Sequence, residues 1–581
     1  FSMGRPPPSD PPPSSHAFPP GPNFLYMTPL LLLVLIPLAY GIVGVKKARL
    51  RSPIHFQQGT LGTSPWRAAL SMALLSLPPF TILTLVVSSA SALFYLFGSF
   101  VSLVLVITTT SNILHYIPSP SVYSYIALRF HSKLLRHLLS SLQFLVSLFC
   151  SILLLFFSVL SLSSLSTLPL QAIVPLIAFS SLFSVMFSGQ SNIMTSIFVS
   201  SFVVVAGGCG LFIYFSVEDV TSLQALLPLR FSIVPSIFST ALGFLLTLYI
   251  LTCSPTAYQL YFSLSTRHKL RICFVLYGVF LLVFCSFVFL LSSLFADFLS
   301  RHCQLNYTFS SLFQFIKYTL HPNSLLSYAV CTSLLLIPLS ILQFLLLSTT
   351  SHFWEEFFRH RFSHLSSGKQ LSTVQAMSFV LCVVLVLSVL GIHQLNLPFH
   401  LMLPLGFHVM SSLCSVIAVS FFVGHYLPFA NSKGSLVALL LSLLLILLLL
   451  FLHLSYNDLP EVKATCIIPP RGFPPLKTEK NVSPEVVGPL LGRITSSIAH
   501  LPLYTHPLII ALFYLIVAAS VSWGTGGEDL FVLDWNLVVY VCAPFSPPLG
   551  KRRSFVESES FRYAQQRNNV RYPMERQFLY G

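Results

Sequence analysis

The sequence predicts an all-α polytopic membrane protein with about thirteen transmembrane helices. Of its 581 residues, 55% are hydrophobic and only 8% are charged, a composition that excludes a water-soluble globule of this length. Long apolar runs recur along the chain, and none has an Asp or Glu in its central part. A run of about 20 apolar residues crosses a bilayer as a helix that satisfies its own backbone hydrogen bonds. The lipid bilayer is therefore the first partner that the sequence predicts.

Turn residues and charges between the apolar runs place the span boundaries. Residues 1–23 are rich in proline and predict a disordered extracellular tail, since proline cannot continue a helix. A transmembrane domain is expected over residues 24–454. Its predicted spans are 24–45, 66–92, 94–117, 138–164, 168–187, 193–215, 229–252, 270–297, 323–351, 373–396, 398–427 and 433–454. The last span, 507–524, follows a long outer loop at 455–506 and precedes a basic tail at 525–581.

The distribution of positive charge predicts the orientation of these spans. With the amino terminus outside and the carboxyl terminus in the cytoplasm, most of the 31 Lys and Arg fall in the inner connections or the tail, as the positive-inside rule requires. The net charge of +15 then reflects topology, and no nucleic-acid partner is expected. We expect a multi-pass protein of the plasma membrane.

Two of the predicted outer connections carry residues that can be modified. Each contains an N-x-S/T sequon, at Asn306 and Asn481, and the first is favoured for glycosylation because Pro484 directly follows the second. Cys303 and Cys466 lie in the same two connections. They either form a disulfide in an oxidising exterior or remain two unpaired thiols.

Two places within the apolar runs are candidates for binding. Pro78 and Pro79 are adjacent in the middle of the second predicted span, where they remove two backbone donors and predict a break that exposes carbonyl oxygens. A kink whose backbone groups are satisfied by neighbouring helices is the alternative. The ninth span ends in a group of Ser and Thr hydroxyls, with Ser340 and Gln343 earlier in the helix. Hydroxyl oxygens suit a small monovalent cation, and Ser and Thr also serve in helix packing.

Enzymatic chemistry has no support in the sequence. No nucleotide-binding loop, nucleophile elbow or paired-carboxylate arrangement is present in a usable context. His393, His400 and His408 lie at or near span ends and form no metal-binding motif, and the cysteines form no CxxC pair. We therefore expect neither an enzyme nor a bound cofactor.

Four segments resemble the sodium/solute symporter family, especially its animal branch of multivitamin, monocarboxylate and iodide-type carriers. The family motifs are Y-E-Y-L-E-x-R-F, V-Q-R-Y-x-S, V-T-x-E-D-L-I-x-P-x-F and P-x-A-N-x-x-G-A. The matching residues of this chain are Tyr123, Tyr125, Arg129 and Phe130, then Gln259, Tyr261 and Ser263, then Glu355 and Glu356, and finally Pro428, Ala430, Asn431 and Gly434. The order of these segments within residues 24–530 carries the resemblance.

The resemblance implies a fold and an activity. The family has an inverted five-helix repeat with a broken first core helix, and it alternates between outward-open and inward-open states around a central site. In this chain the repeats would span 66–215 and 229–396. The implied activity is sodium-coupled symport of a small organic solute, such as a vitamin, a monocarboxylate or a similar anion.

The resemblance also implies a site at the broken helix. The implied solute contacts are Ser76, Pro78, Pro79, Thr81 and Gln343, and the implied ligands of sodium, the coupling ion, are Leu74, Leu77, Ser340 and Ser196. Two departures from the family pattern concern sodium. The family's S-T-x-S-S motif falls on residues 340–344, where only the first hydroxyl is kept, and the family's Asp is replaced by Ile197.

These departures leave other functions open. A transport-incompetent or sodium-independent relative, acting as a structural or regulatory membrane protein, would account for the lost ligands. A hydrophobic subunit of a respiratory complex would account for the Phe- and Leu-rich composition. That reading requires intramembrane Lys or Glu for proton transfer, and the predicted spans offer none.

Overall fold

The part of the chain that the structure describes is helical and contains no strand. A computed structural model defines residues 53–78, 89–165, 168–218, 233–301, 325–395, 399–456 and 505–539, without 60–62, 118, 120, 265, 529 and 531–532. In chain order the helices are α1 (Pro53–Gln58), α2 (Pro65–Leu75), α3 (Ser89–Leu105), α4 (Ser111–Tyr116), α5 (Ser124–Phe130), α6 (Lys133–Leu165), α7 (Leu170–Glu218), α8 (Ile233–Leu248), α9 (Pro255–Phe262), α10 (Arg267–Arg301), α11 (Leu325–Phe353), α12 (Ser367–Gln394), α13 (Phe399–Tyr426), α14 (Ser432–Tyr456) and α15 (His506–Gly524). Turns of π-helix at Val106–Thr110, Tyr249–Cys253 and Trp354–Phe358 extend α3, α8 and α11.

Eleven segments of these helices are long and apolar enough to cross a membrane. They coincide with the predicted spans from 94–117 to 507–524, so the prediction of an all-helical polytopic protein is confirmed. The boundaries differ most where polar residues extend a helix beyond its apolar run. For example, α6 begins at Lys133, ahead of the predicted start at residue 138. Charged and polar side chains at a helix end can reach water, so they do not terminate the helix.

The second predicted span, 66–92, is not one uninterrupted helix. α2 ends at Leu75, just before the two adjacent prolines, and α3 begins at Ser89. At this end the backbone N–H of Ser76 points at three preceding carbonyls, and its hydroxyl lies 3.1 Å from the Met72 carbonyl and 2.9 Å from the Tyr277 hydroxyl. The position of the helix end agrees with the break that the prolines predict.

α7 contains two spans joined at a single glycine. Gly189 has φ 58° and ψ −165°, while the residues around it remain helical. Only glycine adopts these angles readily, because a Cβ would clash with the backbone. The break therefore separates the predicted spans 168–187 and 193–215 without a loop.

A second interrupted helix lies between α8 and α9. Ser254 is extended, with φ −67° and ψ 123°, and Pro255 is the first residue of α9. Proline disfavours the helical conformation in the residue before it, so the Ser-Pro pair ends α8. The Ser254 N–H still donates to the Tyr249 carbonyl at 3.0 Å, closing the π-helical turn.

Each interrupted helix packs against a helix from the other half of the bundle. α2 packs against α10 and α8 packs against α3, so the first helix of each half contacts the second helix of the other. In the second contact the backbones touch, because a Cβ on Gly98 would meet the Thr240 carbonyl and one on Gly243 would meet the Tyr95 carbonyl. Close backbone approach at small residues is how membrane helices gain packing energy. This reciprocity is what an inverted repeat requires.

Several predictions fall outside the described residues. They concern the tail 1–23, the span 24–45, residues 457–504 of the predicted loop 455–506, and the sites Pro79, Thr81, Asn306, Asn481, Cys303 and Cys466. The start of the predicted tail 525–581 is described: Val539 N–H donates to the His425 carbonyl at 3.0 Å, and Glu528 N–H donates to the Phe429 carbonyl at 3.0 Å. That segment therefore packs onto the end of α13.

Candidate functional site

A cavity lies between helices of the bundle, where both interrupted helices end. It offers about 100 Å³ to groups the size of a water molecule, and part of it is open to solvent. Ligand sites of helical proteins commonly lie between the helices of a bundle in this way. Its walls come from α2, α6, the break between α8 and α9, α11 and α13. The lining residues include Leu75 and Pro78 of α2, Ser147 and Phe157 of α6, Tyr249, Ser254 and Thr256 at the break, Ile341 and Leu345 of α11, and Met410 and Cys414 of α13. We call this space the central cavity.

Gln143, one turn before Ser147 on α6, organises the polar side of the central cavity. Its amide nitrogen donates to the Ser147 hydroxyl at 2.8 Å and lies 2.8 Å from the Tyr249 hydroxyl. Its amide oxygen accepts a hydrogen bond from the Tyr123 hydroxyl at 2.9 Å and lies 3.0 Å from the Tyr249 hydroxyl. All four residues are buried. They satisfy one another away from water, as buried polar groups must.

Tyr123 extends this network away from the cavity, to the end of the bundle where α6 begins and α11 ends. Its ring centroid is 5.2 Å from that of His352, and the His352 Nε2 lies 3.1 Å from the Ser140 carbonyl oxygen. Burial raises the pKa of the Tyr123 phenol well above its usual value. The hydroxyl therefore stays protonated and can donate to Gln143.

An ion pair joins α6 to α11 at the same end. The Nε of Arg136 lies 3.0 Å from Oε2 of Glu356, and Nη2 lies 3.1 Å from Oε1, which is a bidentate arrangement. The Glu356 side chain is fully buried, whereas that of Arg136 is 25% exposed. The charge pattern of the sequence predicts that this end faces the cytoplasm.

The short helix α9 separates the central cavity from a second one. The second cavity, of about 10 Å³, holds about one water molecule; it lies at the end of the bundle with the ion pair, and Pro255, Gln259 and Phe262 line it. These three residues share one face of α9. Ser254 and Thr256, at its start, line the central cavity instead. A single helix of eight residues is therefore the wall between the two spaces.

The predicted solute contacts only partly line the central cavity. Pro78 lines it, whereas Ser76 is buried against Tyr277 and Gln343 is not among its lining residues. Their neighbours Leu75, Ile341 and Leu345 line it instead. The two α11 residues flank Gln343 in sequence, so the helix turns its apolar face to the cavity.

The predicted sodium ligands are all buried. Leu74 and Leu77 are on either side of the α2 end, Ser340 is on α11 beside it, and Ser196 is on α7, which also packs on α11. The Gln343 side-chain oxygen is buried without a hydrogen-bond partner among the described residues. Such an oxygen is available to a cation, because an unpaired buried acceptor costs free energy.

The Ser and Thr hydroxyls at the end of α11 fall into two kinds, those bonded within the helix and those that are buried without a bond among the described residues. Thr350 donates to the Leu346 carbonyl at 2.8 Å, which is ordinary intrahelical bonding. The hydroxyls of Thr349 and Ser351 are buried with no hydrogen-bond partner in the part of the chain described. Ser351 lines the second cavity, away from the central one.

Several residues that carry the family resemblance stabilise the scaffold. Arg129 is completely buried, and its guanidinium donates to the carbonyls of Gly424, Leu427 and Pro428 at 2.9 to 3.1 Å. It thereby caps the end of α13, whose last carbonyls lack intrahelical partners. The arginine that matches the family motif therefore caps a helix end, and all of its hydrogen bonds given above go to backbone carbonyls.

The Pro-x-Ala-Asn segment is also structural. The Asn431 side-chain oxygen accepts the Gly434 N–H at 2.8 Å, so it caps the start of α14. Its side-chain nitrogen donates to the Thr525 hydroxyl at 2.7 Å. A Cβ on Gly434 would collide with Ser522, so α14 and α15 can approach this closely only at glycine.

Sequence reasoning missed the residues that form most of the cavity. Gln143, Ser147 and Tyr249 lie in apolar segments with no local motif, and Tyr249, in the π-helical turn after α8, meets Gln143 of α6 only in the folded chain. The break at Ser254 had a signal: a Ser-Pro pair follows an apolar run, as two prolines do at the end of α2. Reading the two proline sites as a pair would have located the cavity.

The fold is similar to that of known transporters. A Na⁺-coupled sialic acid symporter, in its substrate-bound outward-open state, matches with a TM-score of 0.65 and 14% sequence identity, covering 87% of this chain and 99% of that chain. A manganese transporter of Eremococcus coleocola matches with a TM-score of 0.44 at 13% identity, covering 81% of this chain and 95% of that one. The nucleobase-cation-symport-1 family transporter Mhp1, in a closed conformation, matches with a TM-score of 0.45 at 11% identity, covering 81% and 96%.

No protein-family model matches the chain, and no curated protein matches it in sequence. The chain is an all-helical multi-pass membrane protein with a LeuT-like fold, and this fold is shared with a sodium-coupled symporter. The predicted fold class is thereby confirmed. The family resemblance is confirmed for the fold, while membership of the vitamin, monocarboxylate and iodide branch remains a prediction.

Proposed function

We propose that the chain is a secondary active transporter that carries a small organic solute across the plasma membrane by alternating access. The observation that supports this function is the central cavity, which lies at the ends of two interrupted helices, α2 and α8. Each of them packs against the second helix of the other half of the bundle. Interrupted helices at such a site leave backbone groups available to solute and ion. We place the proposed exit path at α9, because residues of this helix line both the central cavity and the smaller second one.

We further propose that sodium is the coupling ion, although the family's ligands are depleted. Support comes from the buried, unpaired side-chain oxygen of Gln343 and from Ser340 on the same helix, which packs against α2. Carbonyl and hydroxyl oxygens are the ligands that alkali cations take. Carbonyl oxygens near Leu74 and Leu77, together with Ser196, are the proposed remaining ligands.

Uptake by the purified full-length chain in liposomes tests the coupling. Labelled lactate and biotin represent the monocarboxylate and vitamin classes, and a panel of labelled neutral solutes is run beside them, under an inward Na⁺ or K⁺ gradient. We expect uptake with Na⁺ only, and a fall of at least about tenfold in Gln343→Leu, since a lost ligand of about 1.4 kcal/mol gives that factor. The matched control is Ser378→Ala, a buried hydroxyl of α12 that bonds its own helix. Equal uptake in Na⁺ and K⁺ would sink the coupled mechanism.

A transport-incompetent relative with a structural or regulatory role is the second candidate. The specific observations in its favour are the Ile197 at the family's Asp position and the residues Ile341, Gln343 and Phe344 at three hydroxyl positions of the family's S-T-x-S-S motif. This candidate predicts no uptake of any panel member in either gradient. It also predicts that Na⁺ leaves the melting temperature of the purified protein unchanged.

A further inference from the structure

We propose that the central cavity selects an uncharged, mainly apolar solute bearing one or two hydroxyl or carbonyl groups. The proposal rests on the transport function proposed above and names the substrate class of the same site. It departs from the anion that the family resemblance implies, and it comes from the walls of the cavity alone.

The walls carry no charge. Among the described residues that line the cavity there is no Lys, Arg, His, Asp or Glu. The stretch that follows α2, residues 79–88, reads PFTILTLVVS and has no charged residue either.

The nearest buried charges are engaged elsewhere. Arg129 bonds three carbonyls at the end of α13, and Arg136 forms a bidentate pair with Glu356. None of these three residues lines the central cavity. Ser340 and Gln343, the proposed sodium ligands, do not line the cavity either. A charged solute would therefore be buried without a counter-charge, which proteins avoid because of the desolvation cost.

The start of α9 is the one feature that favours an anion. Its N-terminal N–H groups carry partial positive charge, and Ser254 and Thr256 line the cavity there. Pro255 removes one of those donors, and a helix of two turns has a weak dipole. The start of α9 suits the oxygen of a neutral solute better than a full negative charge.

Two polar groups of the cavity are connected to each other. Ser147 and Tyr249 are held by the same Gln143 amide, so they present a fixed pair of hydroxyls. Phe157, Ile341 and Leu345 supply apolar surface elsewhere in the lining. A solute with a polar end and an apolar body satisfies both surfaces, since each polar group gains a partner and the rest buries apolar area.

Thermal unfolding of the purified full-length chain tests this selectivity. The probes are matched triplets on the same hydrocarbon skeleton, each an alcohol, a carboxylate and a primary amine, with skeletons of about six to twelve carbons. We expect at least one alcohol to raise the melting temperature by about 2 °C at saturating concentration. Its carboxylate and amine partners should leave it unchanged.

Variants with a filled cavity distinguish binding in the cavity from partition into detergent. Leu345→Trp and Met410→Trp each place a bulky ring in the cavity from a different helix, so misfolding of one leaves the other available. The shift by the alcohol should vanish in a folded variant of this kind. A carboxylate or amine that stabilises the unmodified chain and fails on the filled variant would overturn the proposal. So would the absence of any alcohol-specific shift that depends on the open cavity.

Failure of this proposal and failure of the transport proposal give different results. Sodium-driven uptake of lactate or biotin, with binding of carboxylates in the cavity, would leave transport standing and remove the neutral-solute class. Binding of alcohols in the cavity without sodium-dependent uptake would leave the selectivity standing and remove sodium coupling.

Discussion

At the scale of single residues, Gln143 connects the central cavity to the end of the bundle where α6 begins and α11 ends. Its amide bonds Ser147 and Tyr249 at the cavity and Tyr123 beyond it. Tyr249 at the cavity is therefore connected through one side chain to Tyr123, in the segment before α5.

Replacing Gln143 with Leu should destabilise the protein by about 1 to 3 kcal/mol, because Tyr123 and Tyr249 lose a buried partner. Tyr123→Phe is the matched control, since it removes one donor and leaves the contacts of Gln143 with Ser147 and Tyr249. Its expected cost is about 0.5 to 1.5 kcal/mol. Equilibrium unfolding in mixed micelles measures both. Equal stabilities for Gln143→Leu and the parent would show that the network contributes nothing.

Arg129→Lys should cost about 2 to 4 kcal/mol despite keeping the charge. The guanidinium reaches three carbonyls in fixed directions, and a lysine ammonium cannot reproduce that planar set of donors. The control is Arg359→Lys, whose side chain is 46% exposed in its pair with Glu355, with an expected change of about 0.5 kcal/mol or less. The same unfolding assay decides, and equal losses in the two variants would contradict the capping role.

At the scale of elements, breaks in helices position the site, and they differ in how visible they are in sequence. The prolines at 78 and 79 predicted the end of α2 because proline removes a backbone donor wherever it stands. The break at Ser254 has the same physical cause, but a single proline produces it. That proline lies at the edge of an apolar run, where a break is easily taken for the end of a span. The break at Gly189 lies between the predicted spans 168–187 and 193–215, whereas its φ of 58° and the direct join of the two helices had no signal in the sequence.

Gly189→Ala should destabilise the protein by about 1 to 3 kcal/mol, since a Cβ is strained at φ 58° and ψ −165°. The control is Gly391→Ala on α12, where a Cβ would meet no atom within 4 Å. Alanine there should be neutral or stabilising by up to about 1 kcal/mol, because it favours helix. A stable Gly189→Ala variant, with the control unchanged, would mean that α7 can straighten at this point.

At the scale of the whole molecule, topology is the prediction that still needs a direct measurement. The charge pattern places Asn306 and Asn481 outside. Expression in a glycosylating host should therefore give a band that a glycosidase shifts, and Asn306→Gln should remove most of that shift. Asn481→Gln is the companion variant with a smaller expected effect. If a sequon introduced between α11 and α12 were glycosylated instead, the orientation of the chain would be the opposite of the predicted one.

The membrane spans could be predicted from the sequence because the signal for a span is local. Twenty apolar residues mark a span in isolation, and eleven spans appear where the apolar runs predict them. The site was harder, because its lining is contributed by helices far apart in the chain. The family motifs also directed attention to residues such as Arg129 and Asn431, which the structure uses as helix caps.

The wall formed by α9 has an electrical consequence. In a conformation that opened both of its sides to water, the membrane potential would fall mainly across one helix, about 10 Å thick, rather than across a hydrocarbon layer of about 30 Å. Moving an elementary charge through the full potential is worth about 2.3 kcal/mol per 100 mV. A sodium ion would take up most of that work in the single step that passes α9, whereas an uncharged solute crossing the same wall would not sense the voltage at all.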